Sequence, residues 1–93
     1  MSEYVGRSPI ITNYTISSTS TWELAKAAVP GSRKWLIKAS DPTFNSFRLA
    51  FVSAPTTYLT TDGSGFAFDD CEQGNIYVYT ATAGTVFEIL VWN

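Results

Sequence analysis

Residues 85–92, Thr85-Val86-Phe87-Glu88-Ile89-Leu90-Val91-Trp92, decide the fold. Side chains alternate across an extended chain, so Phe87, Ile89 and Val91 share one face and Val86, Glu88, Leu90 and Trp92 the other. β-Branched and aromatic residues dominate the run, which suits a pleated strand. Both faces are mainly apolar, so both should be covered. In a small sandwich one face of each sheet normally meets water. Two arrangements explain the second apolar face. Either the strand is central and its outer face meets another subunit, or an N-terminal arm or the 22–29 segment folds over it.

Working outward, Ala81-Thr82-Ala83-Gly84 reads as a four-residue hairpin loop after a strand at 76–80. Tyr58-Leu59-Thr60 and Phe66-Ala67-Phe68 flank Asp62-Gly63-Ser64-Gly65, a glycine-bearing turn of hairpin type. In 34–39, Trp35, Ile37 and Ala39 alternate with Lys34, Leu36 and Lys38; in 47–52, Phe47, Leu49 and Phe51 oppose Arg48, Ala50 and Val52. Asp41-Pro42 turns the chain, and 10–16 is a further strand with Ile10, Tyr14 and Ile16 on one face. The segment from Trp22 to Val29 is ambiguous: Ser20 and Glu23 resemble a capping box and its Leu, Ala and Lys favour helix, yet Pro30-Gly31 stops it within eight residues. Residues 1–9 are polar, lack a period and read as a flexible arm.

The 93 residues suit one domain, here 10–93. Twelve Thr and ten Ser against five Leu favour strands and turns over helices. The expected fold is all-β: a small, jelly-roll-like β-sandwich of seven or eight short strands with at most one short helix, at 22–29.

Histidine is absent, which removes Ser-His and Cys-His mechanisms and His-ligated metals. Cys71 stands alone, so the chain has no internal disulfide, and its acidic neighbours disfavour a thiolate nucleophile. A lone cysteine suits a protein made in a reducing cytoplasm. The opening residues carry no signal or transmembrane run. A net charge of -2, with Arg33, Lys34 and Lys38 the only basic group, leaves no footprint for nucleic acid. Asp62, Asp69, Asp70 and Glu72 lack the order of a calcium loop and read as a solvated rim, and nothing sets them apart as an acid/base pair. Gly63-Ser64-Gly65 lacks the third glycine and the helix of a phosphate loop. No enzyme, cofactor or metal is therefore expected. Trp35 and Trp92 fall on packing faces, which leaves Trp22, Tyr77 and Tyr79 as surface aromatics able to stack on a sugar ring.

Residues 58–70, from Tyr58-Leu59 through the glycine-bearing turn to Phe66-Ala67-Phe68-Asp69-Asp70, the run Gly74-Asn75-Ile76-Tyr77-Val78-Tyr79-Thr80-Ala81-Thr82-Ala83-Gly84-Thr85-Val86, and the closing Leu90-Val91-Trp92 resemble small head-decoration (cement) proteins of tailed bacteriophages. Pro30-Gly31-Ser32-Arg33-Lys34-Trp35-Leu36-Ile37-Lys38-Ala39-Ser40 is similar to their central strand, so the resemblance covers about residues 20–93. It implies a β-sandwich on the outside of a virion capsid, often trimeric, with the major capsid protein and its own copies as partners. It carries no catalytic residue across. The expected function is capsid decoration; the alternative is a carbohydrate-binding or adhesion module of a phage tail or other virion part. Val86, Phe87, Ile89, Val91 and Trp92, with Tyr4 and Val5 of the arm, are the candidate interface.

Overall fold

The computed structural model describes residues 9–40 and 46–92, so Tyr4, Val5, most of the arm and the Asp41-Pro42 turn lie outside the described residues. Among the described residues there are eight strands and no helix: β1 (Ile10–Thr15), β2 (Glu23–Lys26), β3 (Lys34–Ala39), β4 (Phe47–Ala50), β5 (Leu59–Thr61), β6 (Phe66–Phe68), β7 (Ile76–Tyr79) and β8 (Val86–Trp92). They form two four-stranded antiparallel sheets, β1-β8-β3-β6 and β2-β7-β4-β5.

This order has a simple physical description. β4 pairs with β5, β3 with β6, β2 with β7 and β1 with β8, as in one long hairpin whose tip is the 51–58 connection. Rolling that hairpin brings β8 against β3 and β7 against β4, which completes the two sheets. That is the jelly roll. Every other connection crosses from sheet to sheet. Two turns expected as hairpins are therefore corners: 81–84 carries the chain from β7 in one sheet to β8 in the other, and 62–65 does the same from β5 to β6. The first corner is clasped to the end of β1, with Ile16 donating its N–H to Thr85 O (3.0 Å) and Gly84 to Ile16 O (2.9 Å).

The 22–29 segment is not a helix. Glu23–Lys26 is an edge strand on β7, with a bulge between Leu24 and Lys26. Pairing with β7 supplies the backbone bonds that so short a helix could not supply for itself, and it buries Ala25. Glu23 makes no capping box with Ser20. Its carboxylate instead accepts from the N–H (3.1 Å) and hydroxyl (3.0 Å) of Ser17 and the N–H of Ser18 (2.8 Å).

The core lies between the sheets. Trp35, Ile37, Phe87, Ile89 and Val91 face Phe47, Leu49, Ile76 and Val78, all at most 1% exposed. Trp35 stacks on Phe68, its partner across the β3–β6 ladder, at 4.4 Å between ring centres. Phe87 meets Phe47 edge-to-face at 4.8 Å across the sandwich. Phe51, grouped with Phe47 and Leu49 by alternation, falls just beyond β4 and is 46% exposed.

Two polar devices close the sandwich. At one end buried Gln73 ties two loops: its side-chain N–H donates to Ala27 O (2.9 Å) and Gly74 O (2.6 Å), and its backbone N–H donates to Ser32 Oγ (2.8 Å). At the β1–β2 edge, the Tyr14 hydroxyl donates to Glu23 Oε1 at 2.5 Å. That bond, with the Ser17 and Ser18 donors, holds the Glu23 carboxyl down at about 2 against its ordinary 4.5. Burial, then the Glu23 hydrogen bond and charge, pushes Tyr14 up to about 12 from 10.0.

The signs follow from linkage. Unfolded Glu23 takes up a proton before the folded residue does, so its stabilisation is complete above 4.5 and is lost as pH falls towards 2. Unfolded Tyr14 loses its proton first, so stability falls again as pH rises from 10 towards 12. Melting temperature measured against pH is expected to show both limbs, with a shallower acid limb in Glu23→Gln. An acid limb unchanged in that variant would show that the cluster is not coupled to folding.

Candidate functional site

The β8 register divides the candidate interface in two. Phe87, Ile89 and Val91 point between the sheets and are essentially unexposed, so they serve the core and are closed to a partner. Val86 and Trp92 point outward and are half-buried, as are Glu88 and Leu90. The 22–29 segment runs in the opposite sheet and does not cover this outer face.

Across that face the ladders line up one apolar row. Ile11 of β1 is opposite Leu90 of β8, Leu90 is opposite Leu36 of β3, and Leu36 is opposite Ala67 of β6. The row spans all four strands, with Ile11 73% exposed at one end and Ala67 exposed at the other. One side of it is polar: Asn13, Glu88 and Lys38 stand in register, and Lys38 Nζ meets Glu88 Oε1 at 2.7 Å. On the other side Lys34 Nζ sits 4.5 Å from the centre of the Trp92 ring. Over the row and its Asn13–Glu88–Lys38 side lies a shallow groove of about 490 Å³, lined by Ile11, Leu36 and Leu90 with Asn13, Lys38 and Glu88. An apolar stripe between charged rims is the make-up of a protein-contact patch, whose centre excludes charge while its edge stays wet.

The outer face of the second sheet differs. Arg48 of β4 stands opposite Tyr79 of β7 and Thr60 of β5. Its guanidinium lies 4.7 Å from the Tyr58 ring and 4.6 Å from the Tyr79 ring. Trp22 packs on both rings, at 5.7 and 5.2 Å between centres. Tyr77 is one row away on the same face, beside Leu24 and Ala50. Of the three aromatics singled out from sequence, Trp22 and Tyr79 converge. Tyr58 and Arg48 complete the group and went unread, although alternation with Phe47 and Leu49 already put Arg48 on the outer face.

The acidic residues do not gather. Among the described residues no group of three or more His, Cys, Asp or Glu is placed to hold a metal ion. Asp62 accepts from the hydroxyl (2.6 Å) and N–H (3.1 Å) of Ser64, which lower its pKa, and Glu72 Oε2 accepts from Gly31 N–H at 2.5 Å. These carboxylates brace turns. Cys71 is half-buried, with its N–H on Arg33 O (2.7 Å) and its thiol towards Glu72 O (3.6 Å). Gly63-Ser64-Gly65 hugs β3 as a turn, Gly63 O accepting from Ala39 N–H at 2.9 Å. No helix among the described residues is long and apolar enough to cross a membrane.

Searches of family models, curated proteins and solved structures found no match to this chain.

Proposed function

We propose that this chain is a head-decoration (cement) subunit of a tailed bacteriophage, which binds the outer capsid surface through the outer face of the β1-β8-β3-β6 sheet. The apolar row Ile11–Leu90–Leu36–Ala67 carries the proposal: a rigid, four-strand-wide contact strip on a sheet whose other face is fully packed. The sequence resemblance over about residues 20–93 supplies the setting. The partner is the major capsid protein, and the outward Val86 and Trp92, off the row, serve self-association, as a homotrimer around a symmetry axis. Clamping needs shape and buried apolar area rather than chemistry, and many weak copies on a lattice add up to strong retention.

In this reading the protein opposes the pressure of packaged DNA. Particles assembled without it are expected to release DNA at a lower temperature than decorated ones, read by dye accessibility during heating. Identical release temperatures, with the protein recovered on tails, would contradict decoration. The converging Trp22, Tyr58 and Tyr79 rings favour the second reading, a carbohydrate-binding module of the virion, and that outcome would bring it forward.

A further inference from the structure

Arg48 is the unusual member of the aromatic group. Its guanidinium lies over two tyrosine rings, yet it makes no hydrogen bond or ion pair with a described residue. The rings hold the guanidinium by its π-faces, which leaves its N–H donors pointing outward in the plane of the group. A fork of this kind matches a carboxylate in bidentate fashion, and holding it in advance lowers the ordering cost of binding. Beside it opens a cleft of about 220 Å³ whose walls include Arg48, Tyr58, Thr60 and Tyr79. The Thr60 hydroxyl, on the wall of the same cleft, can donate to or accept from a sugar's hydroxyls.

We infer that this cleft binds a saccharide bearing a carboxylate, a uronate or sialate type of unit, with Arg48, held in place by Tyr58 and Tyr79, on the carboxylate and Thr60 beside the sugar's hydroxyls. Trp22 is a positioning residue that fixes the two tyrosines. The inference deepens the binding-module reading by naming the ligand's chemistry. It is independent of docking through the other sheet, which faces the opposite way: a subunit seated by its β1-β8-β3-β6 face would present this cleft outward. The chain's net charge of -2 repels a polyanion as a whole, so saturable binding of one has to come from a local site.

The test titrates the full chain with oligogalacturonate, with oligosialate and, as a neutral comparison, with malto-oligosaccharide, reading tryptophan fluorescence and heat. Saturable binding of at least one acidic probe is expected, weakened about tenfold or more by Arg48→Lys, which keeps the charge but loses the fork, and similarly by Tyr79→Ala. An unchanged circular dichroism spectrum and melting temperature for Arg48→Lys would separate this from misfolding. Equal binding of neutral and acidic probes, or full affinity in Arg48→Lys, overturns the carboxylate inference while keeping a sugar site. Binding of none of the three overturns the inference and the module reading together.

Discussion

Gly65→Ala is expected to cost this protein about 3 kcal/mol or more, placing the change among the severe single substitutions. Gly65 precedes β6 and adopts φ +88, a left-handed conformation that costs an L-residue about 1–2 kcal/mol. Sterics add to that. A Cβ at this position would stand 1.8 Å from Ile37 O and 2.7 Å from Lys38 Cα, both backbone atoms of the central strand β3, which cannot swing aside as a side-chain end could. Relief requires β6 to move off β3, breaking the register that sets Phe66 opposite Ile37 and Phe68 opposite Trp35. At roughly 4–8 °C per kcal/mol for a domain of this size, the melting temperature should fall by more than about 12 °C. Gly84→Ala is the internal comparison. Gly84 has φ +85 but nothing within 4 Å of its added Cβ, so only the backbone term of about 1–2 kcal/mol applies. Equal losses for the two variants, or a drop below about 4 °C for Gly65→Ala, would show that β6 is not held against β3 at this point.

The largest effect on function is expected from the outer apolar row. Leu36→Glu and Leu90→Glu each place a carboxylate at the centre of the strip, where docking would remove it from water without a partner. Both side chains are half-exposed in the free chain, so the fold should survive with little loss. Affinity for the capsid should fall about a hundredfold or more, because the change falls at the centre of the patch, where contact energy concentrates. Thr60→Glu, on the outer face of the other sheet, should bind as the unaltered protein does. A row variant that binds normally would move the contact elsewhere.

How much of this was readable before the structure differs from strand to strand. Alternation placed Trp35, Ile37 and Ala39 of β3 and Phe47 and Leu49 of β4 on buried faces, because one face of each strand is uniformly apolar. It was silent on partners. The 62–65 and 81–84 turns look like hairpin loops because hairpins and sandwich corners draw on the same glycine-bearing sequences; only the rolled topology separates β5 from β6 and β7 from β8. In β8 both faces are apolar, and Phe87, Ile89 and Val91 read as contact residues as readily as Val86 and Trp92. Glu88 was the available sign, since a carboxylate marks the face that water reaches. Glu23–Lys26 misled through local preference: its residues favour helix, and the neighbouring β7 overrode them. The Arg48–Tyr58–Tyr79 cluster draws on β4, the residue before β5, and β7, and only the pairing of these strands brings those positions together. Gln73, which follows the acidic Asp69, Asp70 and Glu72, is buried because two loops close over it, and no local pattern announces such a residue.

The central claim, that the outer face of the β1-β8-β3-β6 sheet seats this subunit on a phage head, is tested most directly by co-sedimentation. Emptied, expanded, undecorated heads of a tailed phage would be mixed with unaltered protein, with Leu90→Glu and with Thr60→Glu. The expected result is saturable pelleting of the unaltered protein and of Thr60→Glu, and recovery of Leu90→Glu in the supernatant. Failure of the unaltered protein to pellet, or equal pelleting of all three, would contradict it.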